Sequence, residues 1–301
     1  MMGRKSIVVW AVATALLAGA CGGGGETDAG SRPSDDASGF NEPFTDVEAY
    51  PAVVSSELVV GSNRVQIALF DENDAPIGSP GIDMHVEFFD LDSSTTEPVS
   101  EADGRFVWSI PDERGLWEFN DVEFDSPGSW GARVSVQGKG LDEEGLDTAF
   151  EVLREGSSPA IGSAAPASDT PTAADAKDLS EITSDNDPTP RFYETSVADA
   201  IAEHEPFVVV FASPKYCTSQ VCGPTLDVVE GVAEDWPGMT FIHVEVFDLS
   251  DPSKLEPVPA MAQWQLPSEP WVFVVDGEGK VASKYEGTVS PRSLDADLRA
   301  L

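Results

Sequence analysis

The sequence predicts two domains, an all-β sandwich followed by an α/β domain. Three observations support this. Seven short runs alternate apolar and polar residues between about 46 and 155. Helical and strand-like segments alternate between 191 and 301. Stretches poor in apolar residues, 22–45 and 156–190, set off blocks of ordinary domain size.

The chain begins with Arg4 and Lys5, then an uncharged, largely apolar run from Ile7 to Ala20. At 14 residues this run is too short for a membrane span and has the layout of a secretory leader. It ends in Leu17-Ala18-Gly19-Ala20-Cys21, which resembles the lipobox of bacterial lipoproteins, although leucine stands four residues before the cysteine and not three. The resemblance implies a signal peptide over 1–21, lipidation at Cys21 and anchoring on the extracytoplasmic face of a membrane. Lipoprotein modification supplies the two or more acyl chains that stable attachment needs. An ordinary cleaved signal is the alternative. Residues 22–45, rich in Gly, Ser, Asp and Pro, are expected to form a disordered tether.

The 46–155 runs are Glu57–Val60, Arg64–Phe70, Met84–Phe89, Arg105–Ile110, Leu116–Phe124, Trp130–Val136 and Thr148–Leu153. Turn material such as Asp71-Glu72-Asn73-Asp74 separates them, as in a sandwich. The stretch from Trp117-Glu118-Phe119 to Ser129-Trp130 resembles the late strands of bacterial immunoglobulin-like domains. Met84 and His85 are adjacent strand residues that point to opposite faces, so a core methionine and a surface histidine are expected there, not a metal site. A spacer or protein-binding role is the default for this block. Residues 156–190, rich in Ala, Ser, Pro, Thr and Asp, are expected to be a disordered linker.

The second block reads as a helix over Ser196–His204, a buried strand Phe207–Ala212, a helix about Pro224–Asp235 and a strand Thr240–Phe247. A short helix at Met261–Trp264, strands at Trp271–Asp276 and Val281–Tyr285, and a helix opened by Ser290-Pro291 follow. The sheet should be covered on both faces.

The remaining two of the three cysteines, Cys217 and Cys222, follow the buried strand. This order, the cysteine pair before a helix, and Pro270 opening a late strand resemble the thioredoxin fold over residues 190–301, with C-x-x-x-x-C in place of the usual C-x-x-C. The resemblance implies thiol–disulfide exchange with protein thiols and disulfides of the cell envelope. Cys217 would be the nucleophile and Cys222 the resolving thiol, and Pro270, in a cis peptide, and Tyr216 would border a substrate groove. Tyr216 stands where thioredoxins have tryptophan, and Val210 where the family often buries an acid; Lys215 would partly compensate by lowering a thiol pKa. In a continuous helix, residues five apart have Cα atoms roughly 8–9 Å apart. A disulfide needs less than about 7 Å, so bridging requires Thr218–Val221 to be a loop.

Two other readings stay open. The Sco family of copper-delivery proteins shares the fold, and two thiolates suit Cu(I). Its histidine ligand has no counterpart in Leu266–Pro270, and His243 and His204 are better read as structural. Otherwise no cofactor is expected. Alternatively the pair is a structural disulfide in a non-catalytic binding module.

The formal net charge is −37, with 54 acidic and 17 basic residues. Such a surface excludes nucleic acid as a partner and disfavours anionic membrane surfaces. Three cysteines and three histidines also exclude disulfide-dense and zinc-finger scaffolds.

Overall fold

The computed structural model describes residues 39–40, 42–45, 47–251 and 253–301. The leader, Cys21 and most of the 22–45 tether lie outside the described residues.

Eight antiparallel strands build the first half. They are β1 (Ala49–Val53), β2 (Gly61–Asp71), β3 (Asp83–Asp90), β4 (Ser100–Asp103), β5 (Arg105–Ile110), β6 (Arg114–Phe124), β7 (Gly128–Gly138) and β8 (Leu141–Val152). They form two sheets, ordered β1-β2-β6-β5 and β4-β3-β7-β8. Period-two alternation decides which face is buried. On β3, Met84, Val86 and Phe88 point into the core while His85 and Glu87 alternate outward. They meet Val65, Ile67 and Leu69 of β2 and Trp117 and Phe119 of β6 across the sandwich. The two buried indoles are satisfied: Trp117 Nε1 donates to the Ile82 carbonyl at 3.2 Å, and Trp130 Nε1 to that of Ser126 at 3.0 Å.

Two strands escaped the apolar pattern because they are sheet edges. β1 carries Pro51, which an edge tolerates, and β4 is Ser-Glu-Ala-Asp. Glu57–Val60 is not the expected strand and forms only an isolated bridge between Val59 and Leu153. The Asn63 side chain takes both the N–H and the carbonyl of Val59, competing with a ladder. Phe40, in the expected tether, is 4% exposed and packs on Phe89 and Leu91.

The second half holds a third sheet of β9 (Phe207–Ala212), β10 (Thr240–Glu245), β11 (Trp271–Val275) and β12 (Val281–Glu286), ordered β10-β9-β11-β12. β9 and β10 are parallel and the other pairings antiparallel. Its helices are α1 (Val197–Ala202), α2 (Cys222–Asp235), α3 (Pro259–Gln263) and α4 (Pro291–Ala300). Every residue of β9 is buried because α2 and α4 pack on one face of the sheet and α1 and α3 on the other. Ser196 and Ser290 cap α1 and α4, each accepting the N–H three residues on.

The expected separate α/β domain is corrected. Strand dominates the described residues taken together, the four helices have only 6, 14, 5 and 10 residues, and all described residues belong to one compact unit. Nor is 156–190 a disordered linker. Its order comes from hydrogen bonds, with Ala165, Leu179 and Ile182 packed against the cores of the second half. Ala165 N–H reaches the Gly279 carbonyl at 2.9 Å, and Val281 N–H the Ser163 carbonyl at 2.9 Å. Ser168 and Thr170 are buried, and Ser168 Oγ accepts from Trp264 Nε1 at 3.1 Å.

A polar seam joins the halves. Glu118, fully buried, bridges Arg64 and Arg105. Arg64 also donates to the Thr288 carbonyl, and Arg105 to the Ser290 and Ser293 hydroxyls. Lys284 reaches Glu57 at 2.9 Å.

Candidate functional site

The apolar run of β9 carries the chain to Ser213, where it leaves the sheet. Residues 214–220 then form consecutive turns, and α2 begins only at Cys222. Cys217 therefore lies in a loop and Cys222 at the first helical position. Cys217 N–H donates to the Ser213 carbonyl at 3.1 Å, and Gln220 N–H to the Cys217 carbonyl at 3.3 Å. Gln220 closes the loop with a positive φ of 64°. The expected disordered linker supplies a support: Ser184 Oγ accepts from Lys215 N–H at 3.3 Å.

Both thiols are free, and their sulfurs and a Glu269 carboxylate oxygen lie within 4.8 Å of one another. The cysteines are unequal. Cys217 is 9% exposed and Cys222 fully buried. A hydrogen bond from the Cys222 thiol pulls the Cys217 pKa down, burial opposes it, and the Ser219 hydroxyl with the Cys222 and Ser219 N–H groups add to the fall, leaving it at about 5. Ser219 Oγ lies 3.1 Å from the Cys217 sulfur. This is a thiolate cradle at the start of a helix whose N-cap, Val221, offers no side-chain acceptor. Cys222 is pushed strongly up by its donated bond to Cys217 and by burial, with the Glu269 charge adding to the rise. Glu269 is itself raised by burial, the Cys217 thiolate and Glu245.

The other expected residues fall as follows. The Glu269–Pro270 peptide is cis, and Pro270 is buried with its carbonyl accepting from Gly287 N–H at 2.9 Å. Tyr216 is half-buried. Lys215 is exposed, its Nζ 5.3 Å from the Tyr216 ring centroid, and the Cys217 shift comes from other groups. Val210 packs in the same cluster as both cysteines. His243 is a core residue: Nε2 meets the Ala212 carbonyl at 3.0 Å and Nδ1 the Tyr193 hydroxyl at 2.7 Å. His85 is on the surface, 2.8 Å from Asp103.

Glu269, Ser219 and Ser184 were not anticipated from the sequence. Glu269 had a signal in its place beside Pro270 and Ser219 in its place between the cysteines; Ser184 had none. Glu245 is also near, buried on β10, with Oε2 accepting Ser184 N–H at 2.8 Å and Oε1 without a partner. A cavity of about 540 Å³ opens elsewhere, at the seam beside Arg64, Lys284 and Arg292, and the cysteines do not line it.

No family model and no curated protein matches the chain. Among solved structures, the Lin-41 filamin domain is 10% identical, covering 37% of this chain and 97% of its own, with a TM-score of 0.20. FdeC, an Escherichia coli adhesin, is 12% identical over 44% of this chain and 38% of its own, with a TM-score of 0.24. MtrC from Shewanella baltica OS185 is 10% identical over 77% and 51%, with a TM-score of 0.23. On the fold described above, mostly strand with four short helices in one compact unit, the expected thioredoxin-like membership of residues 191–301 is corrected, and with it the reading of the chain as a thioredoxin-like redox protein. No match supports the signal-peptide and lipoprotein assignments either. At these identities and TM-scores the matches carry no activity to this chain.

Proposed function

We propose that the chain exchanges thiols and disulfides through Cys217 and Cys222, a reading that rests on these side chains and on no family. One observation carries it: a depressed, slightly exposed thiol sits beside a raised, buried one, with a carboxylate in reach of both. The partner this chemistry calls for is a protein disulfide. The Cys217 thiolate attacks one sulfur of that disulfide, forming a mixed disulfide and releasing the other as thiolate. Glu269 takes the Cys222 proton as Cys222 attacks the Cys217 sulfur. The Cys217–Cys222 disulfide forms, the second substrate thiolate leaves, and two electrons have passed to the substrate. The reverse sequence oxidises a dithiol.

The test is the reduction potential of the pair in defined thiol buffers. A value below about −300 mV marks a structural disulfide and overturns the proposal.

A second reading is favoured by Glu269. The same three donors could hold Cu(I) in the reduced protein, two thiolates being soft ligands and the carboxylate a harder third. Anaerobic titration should then show stoichiometric Cu(I) binding that Cys217→Ser abolishes. Absence of binding removes this reading.

A further inference from the structure

The turn between the cysteines is held from the other half of the molecule. Arg114 opens β6 directly after the hairpin that follows β5. Its backbone is fixed there: it pairs with Ile110, its carbonyl accepts from Ser109 Oγ at 3.0 Å, and Glu113 N–H returns to Ile110 at 3.1 Å. From this rigid base the guanidinium reaches the cysteine loop. Nη1 donates to the Ser219 carbonyl at 3.1 Å, and Nη2 to Gln220 Oε1 at 3.3 Å. Both acceptors lie between Cys217 and Cys222, and Ser219 is the residue whose hydroxyl faces the Cys217 sulfur.

We propose that Arg114, on the β-sandwich, is a positioning residue for Cys217: its two-pronged grip holds the 218–221 turn so that Ser219 meets the sulfur. The proposal rests on the exchange reading above and adds a role for the sandwich in it. The grip has the fork geometry that arginine provides and lysine does not. Without it, the turn can relax and carry Ser219 away from the sulfur, and the thiolate loses one hydrogen bond.

The experiment is the pH–rate profile of iodoacetamide alkylation of the reduced full chain, for wild type, Arg114→Gln and Arg114→Lys. Arg114→Gln should move the Cys217 midpoint upward by roughly 0.2–0.7 of a pH unit and slow alkylation at pH 5, near the midpoint, by about 1.2- to threefold, the scale of one part-exposed charged contact. Arg114→Lys keeps the charge and one donor and should recover part of the rate. A purely structural arginine would lower the melting temperature and leave the midpoint in place. Gln220→Asn, which tolerates the positive φ but is too short for the second prong, should shift the midpoint in the same direction by less. Superimposable profiles for wild type, Arg114→Gln and Gln220→Asn overturn the proposal. A wild-type midpoint near 8.5 overturns the exchange reading instead, so the two failures are distinguishable.

Discussion

Replacing Cys222 with alanine removes the largest single influence on Cys217, the thiol that donates to its sulfur. With the Cys217 midpoint at about 5, the wild-type thiol is roughly nine-tenths ionised at pH 6. A hydrogen bond to a charged group contributes about 1.5–3 kcal/mol, or about one to two pKa units. Cys222→Ala should therefore bring the midpoint to roughly 6–7 and slow alkylation at pH 6 about two- to tenfold. Cys222→Ser keeps a donor and should shift it less. The assay is the iodoacetamide pH profile, with the 240 nm thiolate absorbance as a second readout. An unchanged midpoint in Cys222→Ala would refute the assignment of the shift to this bond. The same ionisation has a stability signature. Because the folded pKa lies below the ordinary value of 9, the unfolded chain binds the extra proton between about pH 5 and 9, and reduced wild type should gain stability as pH rises through that window. The gain is about 1.4 kcal/mol per pH unit at most, and it should vanish in Cys217→Ala.

Glu118→Gln would leave Arg64 and Arg105 facing each other without a counter-charge, and urea unfolding should show a loss of about 3–5 kcal/mol; a loss under about 0.5 kcal/mol would contradict the seam's importance. Glu57 is raised by burial, but the Ser158 hydroxyl and N–H and the Lys284 ammonium outweigh this and hold it at about 2. Its contribution is present above the ordinary value of 4.5 and lost as pH falls towards about 2, so urea midpoints of Glu57→Gln should flatten over that range relative to wild type. Trp264, fully buried against Phe211 and Phe273, should cost about 3–5 kcal/mol as alanine by thermal or urea denaturation.

Much of the local structure was legible where one signal dominates. The unbroken run Phe207–Ala212 could only be a strand buried on both faces, and Ser290-Pro291 announced the last helix as its cap and first helical residue. The two thiols were legible by type and spacing, and the helix starting at Cys222 leaves them in the loop geometry that bridging requires. What failed were inferences from composition. Residues 156–190 have thin apolar content, yet Ser168, Thr170 and Ser184 help order the segment by hydrogen bonds to partners far along the chain, and Leu179 and Ile182 pack on the core. The two-domain division failed with it. Arg114 and Glu269 come from distant stretches, and no local pattern brings them to Cys217. Family resemblance misled in the same region, because element order and a cysteine pair do not by themselves make a family.

The seam also bears on how the gene can be divided. Cutting between the sandwich and the third sheet would strip Arg64 and Arg105 of their carbonyl and hydroxyl acceptors and leave Lys284 without Glu57. It would also free the cysteine turn from its arginine. Neither fragment would be an interchangeable module. A fusion or domain-swap that keeps residues 191–301 alone would keep Ser219 and Glu269 beside the two thiols but lose the Arg114 and Ser184 contacts that hold their loop.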